Sequence, residues 1–216
     1  MTDLLTPLEA PLPQTEPLDP GAFLLRGFAR GVEQALWEGV RAIAAEAPFR
    51  RMMTPGGRQM SVAMSNCGAL GWVTDRAGYR YVACDPESGR PWPPMPADFF
   101  ALAQRAAAEA GYPGFRPDGC LVNRYEPGAK MSLHQDKDEQ DMGAPIVSVS
   151  LGLPALFLWG GDKRAERPRR MRLESGDVVV WGGASRLRFH GVESPSPGTH
   201  SLTGACRVNL TFRTVR

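Results

Sequence analysis

Cysteine, histidine and long apolar runs are what this 216-residue chain has least of. The four cysteines, Cys67, Cys84, Cys120 and Cys206, are widely spaced with no C-x-x-C pair. That argues against a zinc ribbon or a disulfide framework and fits a reducing interior. No apolar run approaches membrane-spanning length. The N-terminus carries prolines and acids where a secretion signal would have a basic and then an apolar region. A cytoplasmic protein without membrane contact is expected. Nothing marks a protein partner, so a monomer is expected too. The formal net charge of +2 is too small to demand a polyanionic partner, and any such partner has to be met by local charge. With 43% hydrophobic and 22% charged residues and no internal repeat, the chain reads as one globular domain.

Residues 1–20 contain Pro7, Pro11, Pro13, Pro17 and Pro20 and are expected to form an irregular lead-in to a single domain over 21–216. A helix is predicted where Val32, Ala35, Leu36, Val40, Ile43, Ala44 and Ala47 share a face, with Pro48 as its stop. A second is predicted from about Ala97 to Ala110, opened by Asp98 and closed by Gly111 and Pro113. Between them, glycines break 49–96 into short pieces rich in Met, Trp and Tyr, the composition of short strands and loops. Such a segment makes either an adaptable contact face or a satellite core. From residue 115 onward strands dominate. Val147, Val149, Leu151 and Leu153 alternate with Ser148, Ser150 and Gly152, and Val178-Val179-Val180-Trp181 lies between glycine turns. Two helices followed by many short strands predict a mainly β fold with flanking helices, a helix-backed sandwich or jelly roll.

Of the three histidines, His134 forms an H-x-D step with Asp136, and His190 lies in R-F-H-G. His200 sits in a P-G-T-H-S turn as a bystander. Residues two apart on an extended segment point the same way, so His134 and Asp136 can face one metal. Two imidazoles and a carboxylate leave open positions, an arrangement typical of non-haem iron(II) oxygenases. An H-x-D step alone is weak and gains weight from the run Arg207-Val208-Asn209-Leu210-Thr211-Phe212-Arg213. Read with period two, Arg207, Asn209, Thr211 and Arg213 share a face. A surface strand would explain that alternation, but this polar face has two guanidiniums and no acid. Guanidinium forks match carboxylates. The two arginines are about 20 Å apart along the backbone, and their long side chains can still converge on a small dicarboxylate. Iron ligands beside such a cradle suggest 2-oxoglutarate as co-substrate.

The stretches N-R-Y-E-P-G-A-K-M-S-L-H-Q-D-K-D-E (123–139), S-V-S-L-G-L-P-A (148–155), G-D-V-V-V-W-G-G (176–183) and R-V-N-L-T-F-R (207–213) resemble the AlkB DNA-repair dioxygenases. P-G-G-R-Q-M-S-V-A-M-S-N-C-G (55–68) and the Trp72/Tyr79 region are similar to the nucleotide-recognition lid of the bacterial branch. The resemblance implies a double-stranded β-helix (jelly-roll) catalytic core over 115–214, an N-terminal helical support and a lid over 49–96. It implies iron(II) on His134, Asp136 and His190. It also implies 2-oxoglutarate held by Asn123, Arg124, Tyr125, Arg207, Asn209 and Arg213, with Arg207 at the distal carboxylate and Arg213 near the chelating end. Dioxygen is the other co-substrate. The family chemistry hydroxylates an N-methyl group, which leaves as formaldehyde and restores the base.

The implied substrates are alkylated bases, such as N1-methyladenine and N3-methylcytosine, in single-stranded or flipped-out DNA, with RNA as an extension. Trp72, Tyr79 and the His134 ring would stack on the base, and Asp138 would meet its exocyclic amino group. A carboxylate there favours the cationic, damaged form, although without the resemblance a solvated loop acid would be the preferred reading of Asp138. The segment 160–172 sets Lys163, Arg164, Arg167, Arg169, Arg170 and Arg172 against Asp162 and Glu166. It is a candidate for phosphate contact, with Arg164 first, against the ordinary expectation of a solvated hairpin tip. Arg80 and Tyr81 are weaker substrate candidates, and Met64 and Ser65 are pocket candidates by family position only. Two rivals stay open: a 2-oxoglutarate-dependent hydroxylase of a protein or small molecule, and a non-catalytic jelly roll that binds single-stranded nucleic acid.

Overall fold

The computed structural model describes residues 14–216. In chain order they form β1 (Gln14–Asp19), β2 (Ala22–Arg26), α1 (Glu33–Glu46), β3 (Ala63–Gly68), β4 (Gly71–Asp75), β5 (Gly78–Val82), α2 (Ala97–Glu109), β6 (Gly119–Tyr125), β7 (Met131–His134), β8 (Ile146–Gly152), β9 (Ala155–Trp159), β10 (Arg169–Leu173), β11 (Val178–Trp181), β12 (His190–Val192) and β13 (Arg207–Arg213). A seven-stranded sheet runs β1-β2-β11-β8-β13-β6-β3, a four-stranded sheet runs β10-β9-β12-β7, and β4-β5 is a separate hairpin. Among the described residues, no helix is long and apolar enough to cross a membrane.

Period-two alternation divides the core. Val178 and Val180 of β11, with Val208, Leu210 and Phe212 of β13, turn to one face of the large sheet. There they meet Leu36, Val40 and Ile43 of α1 and Phe99, Leu102 and Ala106 of α2. The rings of Phe99 and Phe212 pack edge-on at 5.9 Å. The opposite face packs on the small sheet: Leu24, Ile146, Val179 and Trp181 meet Phe157, Trp159 and Val192. Each helix therefore needs only one apolar stripe, while the central strands need apolar side chains on both faces. This is the two-sheet, helix-backed jelly roll that the strand pattern predicted.

Two segments differ from expectation. The lead-in over 1–20 was to be irregular; positions 1–13 lie outside the described residues, but Gln14–Asp19 is a strand paired with β2. Pro17 is tolerated because β1 is an edge strand, and the pairing register shifts just after it. Within 49–96, β3 is the far edge of the large sheet, paired with β6, and only β4 and β5 stand off as a hairpin. Short length and mixed composition hid that distinction.

Two glycines set the site's surroundings. Gly152 has φ +87°, and a Cβ there would lie 2.1 Å from Thr203 Oγ1, so the chain can leave the large sheet for β9 only with glycine. A Cβ on Gly191 would lie 2.7 Å from the Met131 carbonyl oxygen. Its absence lets β12 close tightly on β7.

Candidate metal centre and anion pocket

β12 pairs antiparallel with β7 so that His190 stands directly across from His134, their ring centroids 4.4 Å apart. Asp136 follows two residues beyond His134, just past the end of β7. Nε2 of His134 is 3.5 Å from Asp136 Oδ1, and Nε2 of His190 is 3.7 Å from Asp136 Oδ2. One ligand atom from each of the three lies within 4.8 Å of the others. Each imidazole is oriented the same way: Nδ1 of His134 bonds the Ser132 carbonyl at 2.8 Å and Nδ1 of His190 bonds the Arg188 carbonyl at 3.0 Å. A carbonyl can only accept, so both Nδ1 atoms carry a proton, and Nε2 is in each ring the atom turned toward Asp136 that a metal would take in the neutral imidazole.

The charges are arranged to match. Burial alone would raise the Asp136 pKa, but Arg213, then His134 and His190, hold it well below the usual carboxylate range. Burial, reinforced by His134, lowers His190 to about 4 and keeps it neutral. Burial also opposes the His134 cation, yet the adjacent Asp136 outweighs it and the pKa rises. The His134 side chain, 38% exposed, lines a cavity, so it is enclosed by protein but reachable by water.

All seven residues of β13 are buried, so its polar face is not a surface. Arg207, Asn209, Thr211 and Arg213 point between the two sheets. Asn123 donates to Asn209 at 3.2 Å, Asn209 donates to Ser148 Oγ at 2.8 Å, and Thr211 donates back to Asn209 at 2.7 Å. Arg207, 1% exposed, donates through Nη2 to Ser150 Oγ and lies 5.1 Å from the Tyr125 ring centre. Among the described residues, its Nε and Nη1, and Asn123 Oδ1, find no hydrogen-bond partner. Burial lowers the Arg207 pKa, offset only in part by Tyr125. A buried guanidinium with two unspent donors and no acid beside it is built for an added carboxylate. Arg213 differs: Nη2 donates to Asp136 Oδ2 at 2.7 Å, and Nε lies at ion-pair distance, 3.0 Å, from Glu139 Oε1 without a hydrogen-bonding angle.

Beside the histidines opens a cavity of about 420 Å³ lined by Trp72, Tyr79, Tyr81, Asp138, Arg164 and Met64, together with His134, Asp136 and Arg213. Trp72 and Tyr79 stack on each other at 5.6 Å, their planes 17° apart, so they form one wall and not two opposed plates. Trp72 Nε1 donates to Asp138 Oδ2 at 2.8 Å.

Three expected site residues are placed elsewhere. Arg124, expected to hold 2-oxoglutarate, is corrected: one step out of phase with Asn123 and Tyr125, it faces the helix side, 4.8 Å over the Phe49 ring and 3.4 Å from Glu126. Arg80, expected to touch substrate, alternates away from Tyr79 and Tyr81 and forks onto Asp75 within its own hairpin. Ser65 turns from the cavity and donates to the Ala47 carbonyl. The basic hairpin is also less free than its composition: Arg169, Arg170 and Arg172 pair with Asp19, Glu193 and Glu174. His200 bridges to Gly204, away from the cavity.

Sequence reasoning missed Glu139 and Arg186. Both are buried and form an ion pair at 2.9 Å. Each lies within four positions of a metal-ligand candidate, the only signal available, and nothing in the sequence joins residues 47 apart.

The description "2OG-Fe(II) oxygenase superfamily" matches this chain over residues 21–213. The chain is 57% identical over 213 residues to the "Alpha-ketoglutarate-dependent dioxygenase AlkB" of Escherichia coli (strain K12), covering 99% of this chain and 97% of that one. It is 49% identical to the "Alpha-ketoglutarate-dependent dioxygenase AlkB homolog" of Caulobacter vibrioides (strain NA1000 / CB15N), covering 85% and 82%. Among solved structures, "The structure of OsALKBH1" superposes with a TM-score of 0.83 at 31% identity, over 93% of this chain and all of that one.

Proposed function

Since the chain belongs to the AlkB family within the 2-oxoglutarate- and iron(II)-dependent oxygenases, we propose that it is an oxidative demethylase that directly repairs N-alkylated bases such as N1-methyladenine and N3-methylcytosine in DNA, and acts on RNA as well. It is an iron(II)- and 2-oxoglutarate-dependent dioxygenase. The observation that carries the proposal is the His134–Asp136–His190 cluster together with the unspent donors of buried Arg207. The donor set fits both groups: two Nε2 atoms and a carboxylate suit iron(II), and Arg207 suits the far carboxylate of a dicarboxylate. Bound iron(II), 2-oxoglutarate and dioxygen supply the oxidising power that hydroxylates the methyl carbon, after which formaldehyde is lost.

The chain's own residues do the rest. His134, Asp136 and His190 would hold the metal. Arg207, with Asn123, Tyr125 and Asn209, would hold 2-oxoglutarate by its distal end, and Arg213 would neutralise charge beside Asp136. The stacked Trp72–Tyr79 wall would take one face of a flipped base, a contact typically worth about 1–3 kcal/mol. Asp138, one oxygen steadied by Trp72, keeps the other for the exocyclic amino group and favours a cationic base. Arg164 on the cavity rim, with Lys163 beside it, would meet phosphate. The same proposal makes the protein a monomer acting in the cytoplasm, with its four cysteines as free thiols.

Mass spectrometry of a methylated oligonucleotide incubated with protein, iron(II), ascorbate and 2-oxoglutarate tests this directly. Loss of one methyl mass with formaldehyde and succinate formed is expected. Succinate formed without methyl loss from DNA or RNA would shift the assignment to a hydroxylase of another substrate.

A further inference from the structure

We propose that Glu139 is a positioning residue through which the β4–β5 hairpin sets Asp136 and Arg213; this rests on the demethylase assignment above. Glu139 is buried and both its oxygens are in use. Oε2 accepts from Arg186 Nη2 at 2.9 Å. Oε1 accepts from the Tyr81 hydroxyl at 2.6 Å and lies 3.0 Å from Arg213 Nε. Arg213 in turn donates to Asp136 Oδ2. Two guanidiniums and two carboxylates thus alternate in one buried chain, Arg186–Glu139–Arg213–Asp136.

Each nitrogen of the Arg186 guanidinium bonds to the segment from Asp136 to Ala144. Nη1 donates to the Asp136 carbonyl at 2.6 Å and Nε to the Ala144 carbonyl at 3.1 Å. It stands four residues before His190, immediately after the 3-10 turn Gly183–Ser185. The two segments that would supply metal ligands are therefore tied together by one side chain.

The hairpin joins the same clamp. Trp72 and Tyr81 are direct cross-strand partners. Trp72 donates to Asp138 and Tyr81 to Glu139, so one cross-strand pair lands on two consecutive acids just beyond Asp136. Burial with the Asp136 and Glu139 carboxylates keeps Tyr81 protonated, hence a donor, against the opposing pull of Arg213. Buried ion pairs rarely repay their desolvation as stability alone, since apolar replacements are often as stable. The four charges here fix geometry: a small displacement of Tyr81 would pass through Glu139 to a guanidinium that touches Asp136.

Tyr81→Phe removes only the hydroxyl, and Glu139→Gln keeps shape while removing charge. Both singles and the double variant should be compared in the full chain. The readouts are the anaerobic iron(II)·2-oxoglutarate charge-transfer band, the Kd for 2-oxoglutarate, and 2-oxoglutarate consumed per methyl lost. Glu139→Gln is expected to shift the band and weaken 2-oxoglutarate binding roughly tenfold, as for a charged hydrogen bond. Tyr81→Phe should raise consumption per methyl lost about fivefold, within the range of one net hydrogen bond. The double variant should match Glu139→Gln alone, because Tyr81 acts through Glu139. Additive effects, or a Glu139→Gln protein with a lowered Tm but an unchanged band and ratio, overturn the proposal. If Glu139→Gln does not fold, an unchanged ratio in Tyr81→Phe overturns it by itself. If the wild-type protein removes no methyl, the demethylase assignment fails, while the band and Kd of Glu139→Gln still decide the role of Glu139.

Discussion

Arg207 and Arg213 stand six residues apart on the same face of β13, both buried, and their surroundings are opposites. Arg213 is bracketed by Asp136 and Glu139, which outweigh its burial and push its pKa up. Among the described residues Arg207 meets no acid and leaves Nε and Nη1 without partners, and burial pushes its pKa down. Under the function proposed above, the two would do different work: Arg213, bracketed by two acids, would steady the chelating end of 2-oxoglutarate beside Asp136, whereas Arg207, with donors unspent among the described residues, would take the distal carboxylate. Burial by itself does not mark a ligand site; burial without a partner does.

The contrast can be broken in order of effect. Asp136→Ala removes one of three metal ligands and the chief partner of Arg213, so turnover is expected to vanish; full activity would discredit the metal assignment. Arg213→Ala and Arg207→Ala should then separate. Arg213→Ala strands two buried carboxylates with too little counter-charge and should cost about 3–5 kcal/mol of folding stability in the metal-free protein, read by denaturant titration. Arg207→Ala should weaken 2-oxoglutarate binding by about 3 kcal/mol, on the order of 100-fold, without lowering that stability. Equal stability losses in both would erase the distinction.

The two histidines differ in their response to pH. A proton and the metal compete for Nε2, and His134 has a raised pKa while His190 stays neutral down to about 4. Iron(II) affinity should therefore fall as pH drops below the His134 pKa, by about tenfold per unit, with one proton and not two released on binding near pH 6. Calorimetry in buffers of different ionisation enthalpy counts those protons. The smallest change is on the substrate wall: Trp72→Ala should raise the KM for a methylated oligonucleotide about tenfold, the loss of one stacking surface. Uncoupled 2-oxoglutarate consumption should barely change; equal losses in both assays would make Trp72 a fold residue.

Much of this was legible in one dimension. The stripes of α1 and α2 and the valine alternation of β8 and β11 reported burial directly, because each element's period is also the period of its contacts. The H-x-D step needed only an extended backbone to aim two ligands one way. Arg124 shows the limit: motif context placed it with Asn123 and Tyr125, yet strand alternation sends it to the opposite sheet face. The basic run at 160–172 shows another limit, since Asp19 and Glu193, which pair Arg169 and Arg170, are distant along the chain. Glu139 and Arg186 carried no local sign of the ion pair they share.

By itself the sequence determined which side chains share a face, where helices begin and end, and that two imidazoles, an aspartate and two arginines were available. The alignment of His134 with His190 across β7 and β12, the burial of the polar face of β13, and the pairing of Arg213 with its acids arise from the packed fold. The division is physical. Periodicity is set by local backbone geometry, whereas charge pairing and desolvation depend on neighbours brought together from distant parts of the chain.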